Sequence, residues 1–496
     1  MKFVFHAGLI VCSSLLSGVA LAEVPASVEI ITEVEIEDLP QRTFELTPEE
    51  QARYDILREA DALFLEGNYA RARELYQQVK PPFKREIQPL EAPGEGFEDS
   101  SLLSPAGSAF WRQYQQGVTQ NVDSRVLVPL QLLVEREPDF ILGHLHYAQR
   151  LKERGHNQGA EAVLQGALGR FPHHLGLTEM AIQTYEAGEN WLGASFLARQ
   201  FALSHPEHPQ QAEFLQRADE NFRRYQQQLQ QQITGGAIAN VLTGSLSLFA
   251  TGNIFGSLST VETTALLLRG ESSVGTRMAR QILDQAPLIT DPELVAYVQE
   301  MGEKLAQVSG RNDFNYEFHI LQDETFNAFA LPGGQIFINA GAILAAQSQA
   351  ELAGLLAHEL AHTILSHGFQ LMTQGQVTAN MMRQIPWVGR TATNLMVFRY
   401  SREMERQADR VGTRLLAASG YPADGLHHLL LRLEQENKPS PPAWLSTHPN
   451  TRERITDLER FIVQHNLNRY GYEGVERHLG MRQRLFELLD SGNQEE

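Results

Sequence analysis

The sequence predicts a mainly α chain, with N-terminal tetratricopeptide-type helical repeats followed by an α+β domain that holds a small sheet. Three observations carry this expectation. Pro138, Pro172 and Pro206 recur at a 34-residue interval, the period of a stacked helix-turn-helix unit. Residues 351–366, ELAGLLAHELAHTILS, are apolar nearly all round, as in a helix buried on every side. Residues 316–321 (YEFHIL) alternate like a strand, and residues 335–339 (QIFIN) form a second.

Composition bounds the class. At 496 residues and 42% hydrophobic content, the chain can build two or three domains with their own cores. A formal net charge of −19 without any basic run argues against nucleic acid and against an anionic membrane surface as partners. The acidic excess itself predicts solubility.

Along the chain, residues 1–22 carry one lysine, an apolar run and Ala20-Leu21-Ala22 before Glu23, which reads as a cleaved secretory signal. The alternative is an uncleaved anchor, for which the run is short. Cys12 follows Val11, where a lipoprotein signal needs a small residue, so the exported chain is expected to hold no cysteine and no cysteine-ligated zinc. Residues 23–48 are acidic and proline-punctuated, an extended leader. Residues 49–210 form three to four helical repeats with an insertion at 81–105 (PPFKREIQPLEAPGEGFEDSSLLSP). Gly67, Gly155 and Gly188 mark inter-helix turns, and Ala160 and Ala194 repeat at the same 34-residue interval. The groove that stacked repeats build binds peptides or partner proteins, or packs on the following domain.

Residues 211–270 join the halves: a glutamine-rich helix, then residues 233–261 without any charge. That stretch reads as a buried Gly-rich helical hairpin, a surface-inserting loop, or a membrane span, so membrane association through 233–261 stays open. Residues 271–465 form the α+β domain, opening on helical spacing over 292–305, and residues 466–496 a helical tail.

The chemistry lies in Ala357-His358-Glu359-Leu360-Ala361-His362. On a helix, His358 and His362 leave one face a turn apart, as two ligands of one tetrahedral zinc require. Glu359 lies beside the first ligand, placed to act as general base on a water whose pKa the metal lowers. A third histidine in the metzincin register is missing, since Gly368 and Leu365 hold those positions, and His367 is off register, a capping or solvent-facing residue. Residues 400–416 read as a second helix with Glu405 and Asp409 on one face. Glu405 is the expected third ligand, with Glu403 the alternative, and Asp409 is placed behind a ligand histidine to fix its tautomer. His448 in Ser446-Thr447-His448-Pro449 has three readings: a fourth, blocking ligand, an oxyanion stabiliser in catalysis, or a cap of the next helix.

Four motifs in order, residues 327–339 (NAFALPGGQIFIN), H-E-L-A-H, residues 405–412 (ERQADRVG) and residues 446–449 (STHP), resemble the M48 family of zinc metallopeptidases. The chain is similar to the periplasmic beta-barrel assembly-enhancing proteases, which join such a domain to tetratricopeptide repeats. It departs from them at Gln407, where a second Glu is usual, and in placing its repeats before the domain. The resemblance implies a zincin-like fold, one Zn2+ per chain and an exported, periplasmic endopeptidase. Its substrates would be unfolded or misassembled envelope proteins, and outer-membrane assembly machinery a partner. It also implies that a strand borders the cleft. Gly334, Gln335, Ile336, Phe337, Ile338 and Asn339 are the expected strand, its exposed edge holding extended substrate by main-chain hydrogen bonds. The rival reading, from another class, is a repeat-based adaptor or chaperone whose metal site is structural or latent.

Overall fold

Antiparallel helical hairpins follow one another through the first half of the chain in a computed structural model. It describes residues 44–83, 96–120, 122, 124–171, 174–234, 269–373, 382–386, 394–435, 443–448 and 451–494. Helix α1 (Pro48–Leu65) opens on a capping box, Thr47 Oγ1 accepting from Glu50 N–H and the Glu50 carboxylate accepting from Thr47 N–H. It therefore starts at Pro48, well before the first periodic apolar residues. The chain turns at Gly67 (φ 82°) into α2 (Tyr69–Val79). Three more hairpins follow: α3 (Pro105–Gln120) with α4 (Ser124–Arg136), α5 (Ile141–Glu153) with α6 (Asn157–Arg170), and α7 (Leu175–Ala187) with α8 (Trp191–Ser204). Gly155 takes the left-handed turn between α5 and α6, whereas Glu189 takes it after Gly188, which is where the extra residue goes. Ala72, Ala160 and Ala194 occupy equivalent places in α2, α6 and α8 and are fully buried, so three of the four hairpins close over a small side chain.

Helix α9 (Gln211–Thr234) ends as the uncharged stretch begins. Nearly all of residues 233–261 lies outside the described residues, as do residues 1–43 with the expected signal and most of the leader, and residues 84–95 of the insertion. No helix among the described residues is long and apolar enough to cross a membrane.

The second half holds α10 (Glu271–Leu283), α11 (Pro292–Gln307), and a sheet of β1 (Glu317–Leu321), β2 (Ala328–Leu331) and β3 (Gln335–Asn339). Then come α12 (Ala340–Ala345), α13 (Gln349–Ile364), α14 (His367–Thr373), and the hairpin β4 (Met382–Pro386) with β5 (Asn394–Phe398). Helices α15 (Arg402–Ala418), α16 (Gly425–Gln435), α17 (Ala443–Thr447), α18 (Thr451–Gln464) and α19 (Val475–Gln494) complete it. The architecture is mainly α with a small sheet.

The strand order is β1-β3-β2, with β1 parallel and β2 antiparallel to β3. This corrects the expected substrate strand. Residues 335–339 are the central strand, hydrogen-bonded to a neighbour on both sides and buried throughout, and Gly334 belongs to the turn before it. Neither edge of β3 is free for a peptide. The outer edge of β2 has no strand partner among the described residues, although its four residues are themselves buried.

Every residue of α13 is buried, which explains its apolar circumference. It lies in the main core with Ile336 and Ile338 of the sheet, Met301 and Leu305 of α11, and Leu415 of α15. Gly412 lets α15 cross α13 closely: a Cβ there would lie 3.0 Å from the Ala357 carbonyl oxygen, beside the backbone of His358.

Candidate metal centre

Helix α13 starts cleanly, Ser348 Oγ accepting from Glu351 N–H, and carries His358 and His362 one turn apart toward α15. From α15, Glu405 points back, and from the end of α17 His448 closes the group. His358, His362, Glu405 and His448 each offer a ligand atom, and these atoms all lie within 4.8 Å of one another. His358 Nε2 is 3.2 Å from both His362 Nε2 and His448 Nδ1, and His448 Nδ1 is 3.0 Å from Glu405 Oε1. Metal–nitrogen bonds of ~2.0–2.1 Å in a tetrahedron place ligand atoms about 3.3 Å apart, so the spacing fits a small tetrahedral cation. The donor chemistry fits as well, three imidazoles and one carboxylate with no water-exposed edge. Glu403, the alternative donor, is instead paired with Arg406 at 3.3 Å and stands outside the group.

The surroundings orient the donors. His358 Nδ1 donates to Asp409 Oδ1 at 3.0 Å, leaving Nε2 for the cluster. Arg454 of α18 is buried behind them, its Nε and Nη2 donating to Asp409 at 2.8 and 2.6 Å and its Nη1 3.0 Å from Glu405 Oε2. Tyr400 stacks on His362 with ring centroids 3.7 Å apart. Electrostatics follow this packing. Burial and the Arg454 charge press His358 down, but its bonds to Asp409 and Glu405 outweigh them and hold it at about 9. Burial alone would raise Glu405, yet the charges of His448 and Arg454 hold it well below the carboxylate range. Burial, and then the neighbouring His358, drive His362 well below the usual imidazole range.

Glu359 is fully buried next to the cluster and accepts a hydrogen bond on Oε1 from Trp444 Nε1 at 2.8 Å, while its Oε2 has no hydrogen-bond partner among the described residues. Of the three readings of His448, helix capping is not what the ring does. Nδ1 faces Glu405 and His358, and Nε2 lies 3.5 Å from Glu359 Oε1.

The expectation for His367 is corrected. It is fully buried, its Nδ1 3.0 Å from His362 Nδ1 and its Nε2 3.0 Å from Gln407 Oε1. Burial lowers it to about 4, so it sits neutral behind His362. Gln407 is its partner, and a neutral amide suits a neutral imidazole there. Arg454, Trp444 and Tyr400 carried no signal that spacing alone exposes, apart from Trp444 lying four residues before His448, on the short helix that His448 directly follows.

The profile of peptidase family M48 matches residues 292–462. The chain carries an M48 peptidase domain. The match encloses α11, the sheet, α13, α15 and most of α18, and so every donor of the cluster. A putative beta-barrel assembly-enhancing protease of Vibrio cholerae serotype O1 is 32% identical over 222 residues, 40% of this chain and 46% of that protein. The beta-barrel assembly-enhancing protease of Escherichia coli K12 is 25% identical over 218 residues, 39% and 44% of the two chains. Human mitochondrial metalloendopeptidase OMA1 is 30% identical over 181 residues, 32% and 34%. The chain thus spans about half the length, or less, of these relatives. The M48 domain implies a metal, and among the described residues the buried His/Glu cluster is the place that fits one.

Proposed function

We propose that the chain is an exported zinc-dependent endopeptidase that hydrolyses peptide bonds of unfolded or misassembled envelope proteins, with helical repeats of the tetratricopeptide type recruiting them. The observation that carries this reading is the convergence of His358, His362 and Glu405 beside a buried, half-satisfied Glu359. His358, His362 and Glu405 would hold the zinc. When bound, the metal lowers the pKa of a water and polarises a carbonyl. Glu359 takes the proton of the attacking water and delivers it to the leaving amine nitrogen. Asp409, through His358 Nδ1, keeps the Nε2 lone pair on the metal side. An extended substrate would pair backbone to backbone with the outer edge of β2, which has no strand partner among the described residues; such pairing makes side-chain preference weak and favours unfolded chains. The names of the bacterial relatives and the expected signal support an envelope setting, periplasmic, with outer-membrane assembly machinery as a partner.

His448 occupies the place that an open fourth coordination position would need, which favours a self-blocked resting enzyme. The same contact keeps the rival reading, a repeat-based adaptor with a latent metal site, as the second account. Glu359→Gln separates them. Metal content by plasma mass spectrometry and casein cleavage should show one zinc per chain in both forms, with turnover down by about 10²–10⁴-fold in the variant. Undiminished proteolysis in Glu359→Gln rejects the mechanism, and a full cellular role for that variant favours the adaptor. Under the blocking reading His448→Ala raises cleavage several-fold, whereas lost activity with zinc retained assigns His448 to catalysis.

A further inference from the structure

We infer that Trp444 is a positioning residue for Glu359: its indole N–H ties the carboxylate to α17, so that withdrawing His448 from the cluster and releasing Glu359 are one movement. This rests on the proposed role of Glu359 and extends it to a residue outside the four motifs.

Four observations carry the inference. Trp444 Nε1 donates to Glu359 Oε1 at 2.8 Å, and both side chains are 0% exposed, so no water competes for the bond. Trp444 and His448 lie at i and i+4, with His448 N–H donating to the Trp444 carbonyl at 2.9 Å. Their rings stack, centroids 4.6 Å apart and planes at 19°. The indole also packs edge-on against His358 and Phe326, and the Arg454 guanidinium lies 5.0 Å from its ring. Trp444 of α17 and His448, the residue that follows the helix, therefore act as one wedge. His448 takes the fourth corner of the cluster while Trp444 holds the neighbouring carboxylate oxygen.

The consequence is mechanical. A water can reach the fourth corner only when His448 leaves, and the backbone and ring contacts make Trp444 leave with it. Glu359 then regains Oε1, and both carboxylate oxygens become free to turn toward the reacting atoms. The indole bond belongs to the closed arrangement and stabilises it. An uncharged donor to a buried carboxylate holds a closed state by enough to change its population about ten-fold.

The test follows the rate at which zinc-loaded protein loses metal to a chromogenic chelator, for wild type, Trp444→Phe, Glu359→Ala, the double variant and Glu359→Gln. Trp444→Phe keeps a ring but removes the donor, and Glu359→Ala removes the acceptor. Each should lose zinc about ten-fold faster than wild type, and the double variant no faster than either single. Glu359→Gln retains an accepting oxygen and should fall between. In casein cleavage, Trp444→Phe should raise kcat about ten-fold with KM unchanged.

Release rates of both single variants within two-fold of wild type overturn the inference, as do effects that multiply in the double variant. Cleavage that depends on Glu359 beside a multiplicative cycle sinks the inference and leaves the peptidase reading intact. The expected release rates without any cleavage do the reverse. A chain that takes up no zinc sinks both.

Discussion

At the residue scale, the side chains that set the properties of the centre are those that face away from it. Asp409 and His367 each touch the ring nitrogen that His358 and His362 turn from the cluster. Asp409→Asn and His367→Ala should therefore weaken zinc by about 10–100-fold without removing a ligand, measured by competition with a chelator. Zinc affinity unchanged in either variant means that the ring in question is held by packing alone. Glu351, at the start of α13, offers a prediction in pH. Burial alone would raise its carboxyl, but Arg432 and Arg53 outweigh burial and bring it down to about 2. A folded value below the unfolded one stabilises the fold above about pH 4.5, and that stability is lost as pH falls from about 4.5 toward 2. Chemical denaturation should show Glu351→Gln less stable at neutral pH and flatter across that acid window.

At the scale of elements, the crossing of α13 and α15 sets the distance between the two histidines and Glu405. Gly412 is the contact, since a Cβ would meet the Ala357 carbonyl at 3.0 Å. Gly412→Ala should cost about 1–3 kcal/mol in urea melts and lower zinc affinity with it, because the helices move apart at the level of His358. A stable variant with full affinity means the crossing has slack. The sheet shows why an isolated motif misleads about edges. Residues 335–339 are the most strand-like run in the domain, and that apolarity is what a central strand with two neighbours requires. The edge strand β2 is short and follows Asn327 inside a motif whose letters do not say which strand is paired twice. Helix α17 is only five residues long, yet it carries the indole that holds Glu359 and is followed directly by His448, whose ring faces Glu405.

At the scale of the whole molecule, the first hairpin is welded to the last segments of the chain. Lys80 is fully buried, its Nζ 2.7 Å from Asp424 and 2.5 Å from Glu473, and Asp61 accepts from the backbone N–H groups of Glu473, Gly474 and Val475. Removing one partner of a buried ionic group leaves the others uncompensated. Lys80→Met should cost about 3–5 kcal/mol, with the loss visible as a lower midpoint of thermal unfolding. An unchanged midpoint means that water enters when the ammonium leaves. Farther along, α8 meets the M48 domain, Gln200 Nε2 donating to the Leu365 carbonyl just past α13 and Arg414 to the Ser204 carbonyl. The helical hairpins are thus packed, through α8, on the domain that holds the cluster.

What could be read from the letters alone was whatever depends on local spacing. Histidines at i and i+4 on an apolar run, Glu405 and Asp409 at the same interval, and the 34-residue return of proline are all properties of one helix or one hairpin. The helical hairpins, the buried helix and the pairing of Asp409 with His358 were legible for that reason. Tertiary structure alone decided which strand lies in the middle of the sheet, that His367 turns inward to His362 and Gln407, and that Arg454 and Trp444 reach the cluster from beyond it. Each of those depends on contacts between segments far apart in the chain. Strand order and side-chain burial follow from how separate elements pack, and no periodicity within one element encodes its neighbours.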